Sequence, residues 1–137
     1  MAKLDEALEF YYRQGRRIFL SGGALGFDTI AAQAVLRLRS AHPDTRLIIA
    51  VPCAGQSLRW TEADREIYDN LCGRADQVIR ISEEYFPGCM QKRNRFLVDH
   101  AEVCLCYLKQ CRGGTWNTVS YAYDRGRTIR NLAGEIR

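Results

Sequence analysis

Two glycine-bearing segments and a short run of cations hold the residues best suited to chemistry. The first segment, FLSGGALGFDTIAAQAVL, sets Gly22, Gly23, Ala24 and Gly26 between an apolar run and an amphipathic one. Residues this small let backbone amides approach an anion, and the start of a following helix adds partial positive charge. The second, CRGGTWNT, repeats the arrangement, with Gly113 and Gly114 followed by the hydroxyls of Thr115 and Thr118. A single glycine turn needs no more explanation than a bend in the chain, whereas two at equivalent strand ends imply a common rim around a ligand crevice. Between them lies QKRNRFLVDH, where Lys92, Arg93 and Arg95 open a predicted helix. Cations are unfavourable there unless an anion binds nearby. Arg93 or Arg95 can grip a phosphate with two parallel hydrogen bonds, and Asn94 or Asp99 can accept from a ribose hydroxyl; a solvated basic face is the plain alternative. Asp28 suits helix capping as well as it suits ligand contact.

No catalytic constellation accompanies these loops. The two histidines, His42 and His100, stand in no serine or cysteine nucleophile pattern. Asp28, Asp99 and the Glu83–Glu84 pair can in principle move protons, but nothing in their spacing names a reaction. Of six cysteines, Cys104, Cys106 and Cys111 come closest to metal spacing, and they lack a nearby histidine, so no metal site and no cofactor are expected. With no export signal, the cysteines read as reduced thiols.

The elements that must position these residues alternate strictly. Apolar residues at Leu4, Ala7, Leu8 and Tyr11 predict a helix over residues 3–14, ended by Gly15. A short strand over 16–21 precedes the first glycine loop. A helix from 28 to about 39 follows, with Ile30, Ala31, Ala34, Val35 and Leu38 inward. RLIIAVP (46–52) is a continuous apolar run, as in strands of a parallel sheet buried on both faces. A polar loop with Gln56 and Trp60 leads to a helix beginning at Thr61 with an acidic first turn, then a strand over 77–82. A helix over 89–100, a strand over 103–108, the loop 110–115, a helix over 116–125 and a last strand over 128–132 complete the pattern. The expected fold is α/β: a Rossmann-like, doubly wound, mostly parallel sheet in three α/β/α layers with right-handed crossovers.

With 137 residues, 47% hydrophobic and 26% charged, the chain reads as a single domain over 1–137 with no low-complexity tract. No apolar run reaches membrane-spanning length and the N-terminus has no signal-peptide core, so a cytoplasmic location without membrane association is expected. A net charge of +4 is too small for a dedicated duplex-DNA binder and fits an anionic small ligand.

The segments GGALGFDTIAAQAVL, IIAVPCAGQSLRWTEADREIYDNL, SEEYFPGCMQKRNRFLVDHAEVCL and RGGTWNTVSYA, in this order, resemble the YpsA-like branch of the SLOG superfamily over nearly the whole chain. The resemblance implies a Rossmann-like fold related to Lonely Guy phosphoribohydrolases and the DNA-processing protein DprA, and a nucleotide or nucleotide-derived ligand. It selects Gly22, Gly23, Ala24, Gly26 and Asp28 in the first loop, Arg93 and Asn94 in the middle, and Gly113, Gly114 and Thr115 in the second. Gln56 and Trp60 are expected to line the crevice.

Two departures shape the functional expectation. Relatives begin with an additional strand and a TGHR-like loop, which this sequence lacks ahead of its first helix; if that strand is central, another subunit or a rearranged edge must cover the exposed backbone. A homodimer or higher homo-oligomer is one way to do so. The Lonely Guy loop PGGxGTxxE carries a glutamate that takes part in cleaving a glycosidic bond, and RGGTWNTVSYA has no acid at that place. A sensor or sequestering protein for a nucleotide-derived molecule is therefore the expectation. A nucleoside-monophosphate phosphoribohydrolase, with Asp28 or Asp99 as substitute carboxylate, is the enzymatic alternative. Single-stranded nucleic-acid binding through Trp60 and Trp116 is the least favoured.

Overall fold

The computed structural model describes residues 2–109 and 112–134. Gln110 and Cys111, and with them the third thiol of the cysteine spacing, lie outside the described residues. Apolar periodicity decides the helices: Leu4, Ala7, Leu8 and Tyr11 are all buried along α1 (Ala2–Arg13). Gly15, at φ +97°, turns the chain into β1 (Ile18–Ser21). Then come α2 (Phe27–Ala41), β2 (Arg46–Val51), α3 (Glu62–Arg74) and β3 (Gln77–Arg80). The remainder is α4 (Cys89–Asp99), β4 (Val103–Cys106), α5 (Gly113–Asp124), β5 (Thr128–Asn131) and a 3-10 turn at Leu132–Gly134. Among the described residues, no helix is long and apolar enough to cross a membrane.

Every strand pairing is parallel, and the fold is the expected Rossmann-like α/β arrangement of three layers. β2 lies between β1 and β3, with Ile18 opposite Arg46 and Ile48 opposite Gln77. β4 pairs with β5 from Val103 opposite Thr128 onward. α1 packs on α2 and α2 on α3, whereas α4 packs on α5 and against β2, so the helices form two groups. The sheet itself is divided: β1-β2-β3 form one ladder and β4-β5 another. Only β2 has the burial of an interior parallel strand, with Leu47, Ile49, Ala50 and Val51 all enclosed.

A core cluster of Leu4, Leu8, Val35, Leu36, Leu47, Ile49, Leu71 and Leu132 joins the two parts, with Phe19, Leu105 and Tyr107 against it. Fully burying each large aliphatic contributes about 1.5–3 kcal/mol. Asp76 ties the lower edge, its Oδ2 accepting from the Leu47 amide and from Arg39 Nη1, both at 2.8 Å. Thr61 caps α3 by accepting from the Asp64 amide at 3.2 Å, ahead of the acidic first turn.

Three details differ from expectation. Ile30 is 37% exposed while Ala32 and Leu36 are buried, because α2 is covered by α1, α3 and the sheet together and so buries a wider face than one stripe. Asp28 does not cap α2: the N-cap is Gly26 at φ +84°, and Asp28 stands inside the first turn. α5 starts at Gly113 rather than at Trp116. Gly113 takes φ +88° after the extended Arg112 and the helix propagates at once, with Thr118 Oγ1 donating back to the Gly114 carbonyl at 3.0 Å.

Candidate functional site

The first glycine loop is shaped from beneath. Gly22 and Gly23 are buried where β1 ends. A Cβ on Gly22 would lie 2.7 Å from Asp28 Oδ2 and 2.8 Å from Arg93 Nη1; one on Gly23 would lie 2.9 Å from Ile49 Cγ2. Gly23 also takes φ +68°, a conformation costly to any other residue. These glycines are thus demanded by packing inside the loop as well as by its turn. The Gly23 amide donates to Ser21 Oγ at 3.3 Å, the Ala24 amide to Asp28 Oδ2 at 3.3 Å, and Thr29 Oγ1 to the Ala24 carbonyl at 2.9 Å. The first α-helical bond of α2 is Ile30 N to Gly26 O at 3.2 Å, so the amides at its start point outward from the turn.

Arg93 reaches this loop from α4 and is 4% exposed. Its Nη1 donates to the Gly22 carbonyl at 2.5 Å, to Gln56 Oε1 at 3.4 Å and to the Ala50 carbonyl at 3.5 Å, while Nε donates to Asn94 Oδ1 at 2.7 Å. One buried cation therefore joins the ends of β1 and β2 to the Gln56 loop. Burial lowers its proton affinity, and the Asp28 carboxylate works against that. Burial raises the Asp28 pKa, opposed by Arg93 and by the Ala24 amide.

On the opposite wall, Trp60 meets Tyr68 edge to face at 5.2 Å between ring centroids. Tyr68 Cε1 also packs under Gly23, and burial pushes its phenol pKa upward. Gln56 Nε2 is buried near the Tyr68 hydroxyl without a hydrogen bond of good geometry.

The structure thus brings together Gly22, Gly23, Ala24, Asp28, Gln56, Arg93 and Asn94, with Trp60 joined through Tyr68. Gly113, Gly114 and Thr115 are exposed at the start of α5, apart from that packed group. The ring pair Phe27–Tyr107, 6.3 Å apart, spans from the end of the first loop to the end of β4. Arg95 and Asp99 turn elsewhere: Arg95 lies over the Tyr121 ring, and Asp99 accepts from Tyr121 at 2.8 Å and pairs with Arg125. Two open cavities stand apart from the glycine loops. One of about 360 Å³ lies between α2 and α3 around Leu36 and Leu71; one of about 650 Å³ runs along α4 past Lys92, Arg95, Phe96 and His100.

Ser21 and Tyr68 read in sequence only as a strand end and as part of the helix after Thr61, not as residues of the site. Tyr68 lies one helical turn before the buried Leu71, so the Thr61 start and a 3.6-residue period were sufficient to place it inward. Ser21 had no signal beyond being the last polar residue before the glycines.

Comparison with known proteins adds the lineage. The family model YpsA, described as the YspA SLOG family, matches residues 1–128. The chain is 31% identical over 139 residues to the uncharacterized SPbeta prophage-derived protein YoqJ of Bacillus subtilis, covering 89% of this chain and 81% of that protein. It is 31% identical over 117 residues to a UPF0398 protein of Halalkalibacterium halodurans, covering 84% and 58%. A UPF0398 protein of Ligilactobacillus salivarius is 28% identical over 104 residues, covering 74% and 52%. The chain therefore spans little more than half the length of these UPF0398 relatives.

Proposed function

We propose, from the premise that this chain belongs to the YpsA SLOG family, that it binds a nucleotide or nucleotide-derived phosphate ligand as a sensor or sequestering protein. The observation that carries this reading is the Gly22–Gly26 turn, packed over a buried arginine and opening into the start of α2 at the C-terminal ends of parallel strands. Ligand phosphate meets the outward amides at the start of α2, those of Gly23 and Ala24 being taken by Ser21 and Asp28. Arg93 acts from below, fixing the Gly22 carbonyl and lending positive potential, and Gln56 Nε2 gains an acceptor from the ligand. Trp60 and Tyr68 flank the base or ribose. The exposed start of α5, with Gly113, Gly114 and Thr115, supplies the far rim. Reduced thiols suit a cytoplasmic setting, and the described cysteines are free.

A thermal-shift screen of nucleoside mono- and diphosphates, ADP-ribose and NAD-like compounds tests the proposal. A ligand that binds only the folded chain at 100 times its Kd stabilises by about 2.7 kcal/mol. No stabilisation by any of these classes refutes it.

A second reading rests on Asp28, whose carboxylate stands against Gly22 and accepts from the Ala24 amide at 3.3 Å inside the glycine loop, where burial favours its protonated form. As a phosphoribohydrolase, the protein would release free base from AMP or a related monophosphate, and Asp28→Asn would abolish the release. Asp99, engaged with α5, is no substitute. Intact monophosphate after long incubation at high concentration of folded protein rejects this reading.

A further inference from the structure

The cavity of about 360 Å³ between α2 and α3 plays no part in the nucleotide reading. On the α2 side, Gln33, Leu36, Arg37 and Ser40 have the i, i+3, i+4, i+7 spacing that shares one helix face; Asn70, Leu71 and Arg74 meet them from α3. Leu36 and Leu71 are both enclosed and make the floor. Each wall then supplies one arginine and one amide: Arg37 with Gln33, and Arg74 with Asn70. Among the described residues, no carboxylate lines the cavity. Arg37 gives one nitrogen to Asp5 of α1 at 3.0 Å in an exposed pair. The side chains of Gln33, Asn70 and Arg74 have no hydrogen-bond or ion-pair partner among the described residues. A cation in the last turn of α3 complements the helix dipole, which accounts for Arg74 but not for Arg37, placed ahead of the last turn of α2. At 1.5 Å per residue, Gln33 and Ser40 stand about 10 and 20 Å along α2 from Gly26, away from the glycine turn.

We propose that this cavity binds a small soluble phosphate ester whose carbon body carries hydroxyl groups, of triose- to hexose-phosphate size. The walls set the chemistry of the occupant. Two guanidinium groups in one cavity repel until an anion lies between them, and their planar forks suit phosphate oxygens taken two at a time. The amides of Gln33 and Asn70 can each donate and accept, which matches hydroxyl groups. Ser40 Oγ donates back to the Leu36 carbonyl at 3.3 Å and keeps its lone pairs for a further donor. The two floor leucines cover the carbon skeleton. A cavity of this volume belongs to the lower end of small-ligand sites and is larger than an inorganic phosphate ion can fill. A bare ion held by the arginines would leave the amides unmet. The cavity shares no residue with the glycine-loop site, so either assignment can fail without the other.

The test is a titration of the isotopically labelled chain followed by two-dimensional NMR. Glycerol 3-phosphate and glucose 6-phosphate are the probes; inorganic phosphate, glycerol and glucose are the references. At least one ester should give saturable shifts at amides of residues 33–40 and 70–74, and every reference should bind roughly tenfold more weakly or worse. Arg37→Gln and Arg74→Gln should each weaken ester binding by roughly tenfold or more. Arg65→Gln, the same loss of charge elsewhere on α3, should leave it unchanged. Arg37→Gln also breaks the exposed pair with Asp5, which contributes little to stability, and thermal unfolding of all three variants verifies that they remain folded. The proposal is overturned if neither ester binds saturably, or if the shifts fall on the Gly22–Gly26 turn instead. It is equally overturned if inorganic phosphate binds as tightly as the esters, which marks an adventitious ion only. Binding that survives both arginine substitutions, or that Arg65→Gln weakens as much as Arg74→Gln does, also overturns it.

Discussion

Arg93→Ala removes the cation on which the first loop rests, and its cost can be worked from the contacts. The substitution deletes donors to the Gly22 carbonyl at 2.5 Å, to Gln56 at 3.4 Å and to Asn94 at 2.7 Å, and leaves Asp28 without its opposing charge. Breaking one partner of a buried charge pair typically costs about 3–5 kcal/mol, against less than about 0.5 kcal/mol for a solvated surface arginine. The lower end applies, because Asp28 can escape by taking up a proton. Its carboxyl is already raised above 3.8 by burial and would rise further without Arg93. An acid whose folded pKa exceeds its unfolded value binds more protons when folded, so its contribution to stability falls as pH rises through that interval. The destabilisation should therefore be smaller near pH 4 than near pH 8, and Asp28→Asn added to Arg93→Ala should recover part of it at about pH 8. Urea unfolding across that range measures both effects. A loss below about 0.5 kcal/mol, or one that does not change with pH, refutes the account of Arg93 as a buried strut.

Gly22→Ala should destabilise by about 1–3 kcal/mol, because its new methyl meets Asp28 and Arg93, and calorimetry on the purified variant checks it. Gly113→Ala meets nothing within 4 Å but must hold φ +88°, so its smaller loss, about 1–2 kcal/mol, isolates backbone strain. Thr61→Ala should cost about 1 kcal/mol through the lost cap of α3, read from the urea midpoint. For Asp76, burial works upward but the Leu47 amide, Arg39 and Arg46 outweigh it and hold the carboxyl below 3.8. Its stabilisation is present above the unfolded value and disappears as pH falls through the folded one, so Asp76→Asn should flatten the acid limb of the stability profile.

Periodicity and punctuation made the helices and strands legible, because each element satisfies its own local rule. Leu4 to Tyr11 keep a helical stripe, RLIIAVP is apolar throughout, and Gly15 and Gly126 end helices at positive φ. What escaped belongs to contacts between distant residues. Arg93 reads in sequence as a cation at a helix start, available to a phosphate; its direction toward Gly22 depends on where α4 crosses the sheet, which no local pattern encodes. Asp28 looked like a cap because it opens an amphipathic run, yet Gly26 takes that place and frees the carboxylate to meet Ala24. The division of the sheet was equally hidden, since an apolar strand reads alike whether one of its edges is paired or both.

The bond from Arg93 to the Gly22 carbonyl spans 71 residues of sequence, whereas β1 pairs with β2 and β2 with β3, in each case the next strand along the chain. Contacts between sequence neighbours close short loops and form early, and those across long separations must wait. A chain emerging from the ribosome can therefore assemble its first ladder while α4 is still unmade. Until α4 arrives, the glycine turn has no floor and Asp28 no counter-charge. Under the proposed ligand reading, competence to bind is then among the last properties the molecule acquires during synthesis, and a nascent chain that has folded only its first three strands would not compete for ligand.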